Sequence, residues 1–121
     1  MNDYQKRLKK LMDEYVHFVY RVTKNFPKEE LYGLVSQFRR AAMSIILNYI
    51  EGYARKRTLV RFTHLEISYG SFQESKYILI FALTEKYIAK DDYIEGSKLE
   101  QEIGAMLWTE LTNLEKSIKL K

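Results

Sequence analysis

The 121-residue chain carries 20 Lys and Arg against 16 Asp and Glu, a formal charge of +4, and no cysteine. That length suffices for one domain with a real core and is too short for two, and the lack of cysteine excludes a disulfide framework and a thiolate metal site. The charge is uneven: residues 1–61 hold 13 Lys and Arg against 6 Asp and Glu, net +7, whereas residues 62–121 hold 7 against 10, net −3, so one end or face of the fold is expected to be basic.

A single proline and five glycines, set among many Leu, Ile, Lys, Glu and Ala, point to long helices. The charged start, Met1-Asn-Asp-Tyr-Gln-Lys-Arg-Leu-Lys-Lys, does not read as a secretory signal, and no run of about 18 apolar residues is present. A cytoplasmic, soluble protein with no membrane partner is expected.

The first helix is predicted over residues 3–25, capped by Asn2 or Asp3. Leu8, Leu11, Met12, Tyr15, Phe18, Val19 and Val22 keep the i, i+3, i+4, i+7 rule, with cations and acids outside that stripe. Phe26-Pro27 stops it, because the residue before proline is pushed out of the α region. The second helix is predicted over 28–54, with Pro27 opening it and Glu29 and Glu30 in its first turn.

This second helix has a polar stripe set into a largely apolar cylinder. Gln37, Arg40 or Ala41, Ser44, Asn48 and Glu51 or Gly52 recur at steps of three and four and share a face, while Leu31, Leu34, Val35, Phe38, Ala42, Ile45, Ile46, Tyr49 and Tyr53 surround them. Burial on most sides is therefore expected, and the buried polar groups need partners. Arg55-Lys56-Arg57 ends the helix, and Thr58 reads as the cap of a third, predicted over 59–88. A short connection makes the two antiparallel neighbours. With the turn near residue 57, Ser44 is expected to face Gly70, Arg40 to face Glu74 and Asn48 to face Glu66. Gly70-Ser71 inside the third helix implies a close approach by a neighbour, since glycine there costs about 1 kcal/mol relative to alanine. A fourth helix is predicted over 92–119, capped by Asp91 or Asp92, with Leu99, Ile103, Met106, Leu107, Leu111, Leu114 and Ile118 on one stripe. Four such helices with short links make a single all-α domain over 1–121, an antiparallel up-down-up-down four-helix bundle.

Catalytic machinery is hard to build from these parts. His17 and His64 fall on different helices, with no Glu-x-x-His pair, no His-x-x-x-His and no glycine-rich phosphate loop, so no cofactor, no metal and no enzyme activity are expected. Gln37, Arg40, Ser44, Asn48, Glu51, Gly70, Ser71 and Glu74 read better as a polar seam that fixes register than as a reactive pocket, because Arg with Asn and Glu supplies neither a nucleophile nor a base poised near neutrality. Arg55, Lys56, Arg57 and Arg61 gather at one end. They read either as a solvated loop complementing the helix C-terminus or as a phosphate-binding patch whose affinity would depend steeply on salt. Ten tyrosines and apolar residues on extra faces, such as Ile46, Ile67, Ile78 and Ile80, imply self-association, which would multiply the patch.

The run from Phe26-Pro27 through Gln37, Arg40, Ser44, Asn48, Glu51-Gly52 and Arg55, with Arg61-Phe62-Thr-His-Leu65 and Gly70-Ser71-Phe-Gln-Glu74, resembles the bacterial four-helix-bundle family of 23S rRNA intervening-sequence proteins. Ile46 stands where that family usually has proline, and Ala54 where glycine is usual. The resemblance implies a non-enzymatic basic bundle that forms a ring-like homopentamer and binds nucleic acid; structured RNA or a ribonucleoprotein is the partner expected at Arg55, Lys56, Arg57 and Arg61. The accessory variability proteins of diversity-generating retroelements look similar in fold and imply an alternative, an adaptor for a reverse transcriptase; a ribosomal component is a further partner on this reading. Arg40, Ser44, Asn48, Glu51, Gly70, Ser71 and Glu74 match the family signature.

Overall fold

The computed structural model describes residues 1–120. It contains four α-helices, α1 Asp3–Thr23, α2 Ser36–Ala54, α3 Thr58–Thr84 and α4 Lys90–Lys119, and among the described residues no strand. Each helix runs antiparallel to its neighbours. Between α2 and α3 the Ser44–Ser71 and Gln37–Glu74 bonds pair residues in opposite order, as do Arg7–Glu102 and Arg21–Glu95 between α1 and α4. The α1–α2 contact places Thr23 beside Arg39, and Tyr69 lies on Trp108 across α3 and α4. The result is the up-down-up-down bundle, with Leu8, Met12, Tyr15, Val19, Phe38, Ile45, Tyr49, Leu65, Leu79, Ile103 and Leu107 sealed along its axis.

Local chemistry sets most boundaries. Asn2 caps α1 in a reciprocal capping box, its side chain accepting from the Gln5 N–H at 2.8 Å while the Gln5 side chain accepts from the Asn2 N–H at 3.0 Å. After α1, Phe26 turns inward against Phe38 and Tyr87, and Pro27 is extended at φ −54°, ψ 143°.

Five boundaries differ from the sequence reading. The first helix ends at Thr23 rather than 25. The sequence places the start of the second helix at residue 28, but Lys28–Glu30 is a 3-10 turn and Leu31–Val35 a single π turn, so regular α structure begins only at Ser36. Glu30, at φ −92° and ψ 0°, breaks the i to i+4 ladder there. The third helix ends at Thr84 rather than 88. Lys86 takes the left-handed conformation, φ 62°, its N–H bonds the Leu83 carbonyl, and the Tyr87 N–H bonds the Ala82 carbonyl at 2.8 Å. That pattern is the Schellman termination, made here with lysine where glycine is usual. Thr58 is the first residue of α3, and its N-cap, Arg57, makes no side-chain cap bond. Asp91 and Asp92 fall inside the first turn of α4 behind the N-cap Ala89, where they favour the positive end of the helix dipole without capping it.

Helix α2 is also less enclosed than its composition suggests. Phe38, Ala42, Ile45, Ile46 and Tyr49 are buried, but Arg40, Leu47 and Ile50 look outward, Leu47 being 55% exposed. Of the surplus apolar residues, Ile46 and Ile78 belong to the core, whereas Ile67 and Ile80 are exposed. Among the described residues no helix is long and apolar enough to cross a membrane.

Candidate nucleic-acid interface

The turn Arg55–Arg57 joins α2 to α3, and its shape follows from Gly52. A Cβ on that residue would stand 2.7 Å from Leu65 Cδ1 and 3.3 Å from the Arg61 carbonyl oxygen, so a larger residue would have to displace the fully buried Leu65 side chain for the last turn of α2 to lie this close to the first turns of α3. Arg55 then leaves the helix with extended backbone, φ −90° and ψ 140°.

Arg61 closes the turn. Its Nε donates to the Gly52 carbonyl at 3.2 Å, beside the Arg55 N–H that this carbonyl also accepts at 3.3 Å, and its Nη2 donates to the Arg55 carbonyl at 2.9 Å. The guanidinium also sits 4.8 Å from the centre of the Tyr53 ring. Arg55 pairs with Glu51 one turn back. Lys56 and Arg57 are exposed and make no ion pair among the described residues. The four cations do lie together at one end of the bundle, then, in three different states: Arg61 fixed to the backbone, Arg55 exposed and neutralised by a neighbour, Lys56 and Arg57 free.

Behind this turn lies a contact that the sequence did not reveal. The hydroxyls of Tyr49 and Tyr53 both donate to the Glu110 carboxylate on α4, with their rings 5.1 Å apart. Burial first, and Glu110 second, push both phenols well above their ordinary value, so they stay protonated donors at any physiological pH. Glu110 thereby ties α4 to the last turn of α2 and fixes the platform from which the cations project. The spacing of Tyr49 and Tyr53 by four was a visible signal; Glu110, about sixty residues on, had none in the local pattern.

The polar seam forms along the α2–α3 contact with partners partly rearranged. Ser44 Oγ and Ser71 Oγ share a hydrogen bond of 2.7 Å; Asn48 donates to the Ser44 carbonyl and Oγ, each at 3.0 Å; and His64 Nδ1 lies 3.1 Å from Asn48 Oδ1. Gln37 donates to Glu74 at 3.1 Å. The expected Arg40–Glu74 and Asn48–Glu66 pairs are replaced by Gln37–Glu74 and Asn48–His64. Arg40 points outward beside an open cleft of about 500 Å³ that it lines with Gln37, Ala41, Ser44, Ser71 and Glu74. Ser44 meets Ser71 and not Gly70. Gly70 is exposed, and nothing lies within 4 Å of the place its Cβ would take, so the close approach expected there is absent within the protomer. The seam is half-buried at the edge of the bundle because α3 is rotated to bring Ser68 inward, where its hydroxyl donates to the Ile45 carbonyl at 2.7 Å.

The buried polar centre lies elsewhere. Glu100 of α4 is 5% exposed and accepts a 2.7 Å bond from the Tyr15 hydroxyl, which also reaches Ser75 Oγ at 3.2 Å. Burial lifts the Glu100 carboxyl to about 7, against the opposing pull of the Tyr15 bond and of the Lys76 ammonium. Helical spacing put Glu100 next to Leu99 and Ile103, but acids beside a stripe are usually solvated and nothing in the sequence marked this one.

The family model for the 23S rRNA-intervening sequence protein matches residues 6–109. Among solved structures, a protein of unknown function from the S23 ribosomal protein family of Bacteroides thetaiotaomicron is similar in fold, with a TM-score of 0.82 over 90% of this chain and 98% of that one, at 19% identity. No curated protein matches. The resemblance read from Phe26 through Glu74 and the match over 6–109 therefore fall on the same helices.

Proposed function

Since the chain belongs to the 23S rRNA-intervening sequence protein family, we propose that it is a non-enzymatic, cytoplasmic binding protein that meets structured RNA through the α2–α3 turn. The observation that carries this reading is the exposure of Lys56 and Arg57, unpaired, at the tip of a turn in the basic half of the chain. Arg55 is neutralised by Glu51 and adds little to the field, while Arg61 acts by holding the turn. Each phosphate met by Lys56 or Arg57 releases condensed counterions. A turn with few groups suited to base edges reads charge and shape in preference to sequence.

One turn with two free cations binds weakly, so the reading includes a homo-oligomer, a pentamer by analogy of family, in which several turns act together. Leu47, Ile67 and Ile80, together with the open surface over Gly70, supply apolar area for such contacts. Titrating labelled structured RNA and duplex DNA at several salt concentrations tests the proposal. Affinity should fall linearly in log–log form with salt, and Arg57→Ala should make the slope shallower by about 0.7 to 0.9 for each phosphate that an engaged turn no longer neutralises. No binding at low salt, or a slope unchanged in Arg57→Ala, would remove the turn as the contact. Light scattering at micromolar concentration reads the subunit number, and a monomer would remove the avidity part.

A further inference from the structure

Beside the basic turn, between α3 and α4, lies a cavity of about 200 Å³ lined by Phe62, Glu66, Tyr69, Trp108, Thr112 and Glu115, with Leu111 also on its wall. Trp108 is the one tryptophan of the chain, yet it is 57% exposed, and its ring stands 5.3 Å from that of Tyr69 at 48°, splayed and not stacked. Phe62 and Tyr69 are half-buried, and the Tyr69 hydroxyl is held by a 2.9 Å bond from Gln73. Glu66 makes no ion pair among the described residues, and Glu115 has only Lys119 at 3.8 Å, an exposed pair of little energetic weight.

Aromatic faces carry negative partial charge, and the two carboxylates carry full negative charge. Both parts of the lining therefore attract the same ligand, an organic cation, and both repel phosphate. The carboxylates call for N–H donors, which a quaternary ammonium lacks, and the splayed rings call for a flat head that can stack. A guanidinium meets both demands. The volume is below the roughly 300–1,000 Å³ of sites that enclose whole small molecules, which fits a single side chain. This protomer cannot fill the site from the adjacent position in its own sequence, because Arg61 is turned away onto Tyr53 and the carbonyls of Gly52 and Arg55. A second copy has little to offer, since Arg7, Arg21, Arg39, Arg55 and Arg61 are each bonded within their own protomer, which leaves only Arg40 and Arg57.

We propose that this cavity is a binding site for an arginine side chain presented by a different polypeptide, with the guanidinium stacked on the open face of Trp108, beside Tyr69, and forked to Glu66 and Glu115. The site is separate from the turn that faces RNA and does not depend on that function.

Trp108 reports occupancy directly. Titrating the full chain with N-acetyl-arginine amide should give a saturable change in tryptophan fluorescence, whereas the citrulline counterpart, the same shape without the charge, should give none. Glu66→Gln and Glu115→Gln, both exposed and outside the core, should each weaken binding about tenfold, with the helical circular dichroism unchanged. The proposal is overturned if the citrulline compound acts equally, if the arginine compound gives no saturable change, or if the two Gln variants bind as the parent does. It is also overturned if adding the arginine compound lowers the particle mass in light scattering, which would assign the cavity to a second copy.

Discussion

Replacing Glu100 by Gln should abolish most of the pH dependence of stability near neutrality. Glu100 is 5% exposed, accepts from Tyr15 at 2.7 Å and is held at about 7 in the fold against 4.5 for the free group. The folded state therefore binds this proton more tightly than the unfolded chain does, and over that interval it carries more protons. Stability falls with rising pH under that condition. The contribution of the neutral acid is fully present below about 4.5 and is lost as pH rises through about 7, a change of about 3 kcal/mol at roughly 1.36 kcal/mol per pH unit. Urea unfolding at a series of pH values from 4.5 to 8.5, at one protein concentration because assembly adds its own stabilisation, reads this as a falling midpoint with constant slope. In Glu100→Gln the oxygen still accepts from Tyr15, but the amide brings N–H donors into the core, and each one left without an acceptor costs about 1–3 kcal/mol at every pH. The diagnostic is thus the difference between the two proteins as a function of pH, which should shift in favour of the Gln variant by about 3 kcal/mol from pH 4.5 to 8.5. A difference that stays constant across the range, or a Glu100 carboxyl that titrates near 4.5 by NMR in the folded protein, would refute the reasoning.

Other substitutions read the remaining parts of the structure. Gly52→Ala forces a methyl to 2.7 Å from Leu65 Cδ1 and should cost about 1–3 kcal/mol in chemical denaturation. Gly70→Ala meets open space and should stabilise an isolated protomer by about 1 kcal/mol; a lower oligomer mass in the same variant would show that a neighbouring copy occupies that surface. Arg61→Ala leaves the Arg55 carbonyl without its side-chain donor, the Gly52 carbonyl with the Arg55 N–H alone, and Tyr53 without its cation, so thermal melting should fall by the equivalent of about 1–2 kcal/mol, in contrast to the exposed Arg57→Ala, whose melting should be unchanged. Lys86→Gly relieves a left-handed lysine and should raise stability by about 1 kcal/mol in the same assay.

The amphipathic stripes, the proline stop and the short α2–α3 link were legible because each depends on residues a few positions apart, and helix periodicity turns such spacing directly into a buried face. On the same grounds the α1 cap was narrowed to Asn2 or Asp3, of which Asn2 serves, and Ser44 was set against Gly70, one residue from the Ser71 it meets. Termination at Thr84 was not legible, because the left-handed position is occupied by Lys86 and not by the glycine that normally announces it. The π turn over Leu31–Val35 was hidden for a related reason, since its apolar residues keep a helical rhythm that does not distinguish i+4 from i+5 bonding.

Sequence alone therefore determined the class of fold, the order of its helices, the half of the chain that is basic and the absence of thiol chemistry, all of them sums or short-range patterns of residue type. Tertiary structure alone decided which charges are free: Arg61 is spent on two carbonyls, Glu110 on two tyrosines and Glu100 on the core, while Lys56, Arg57 and the Glu66–Glu115 rim remain open. Availability of a charged side chain depends on the partners that packing brings from distant positions and on the water it removes, and neither quantity is carried by a residue's identity or its near neighbours.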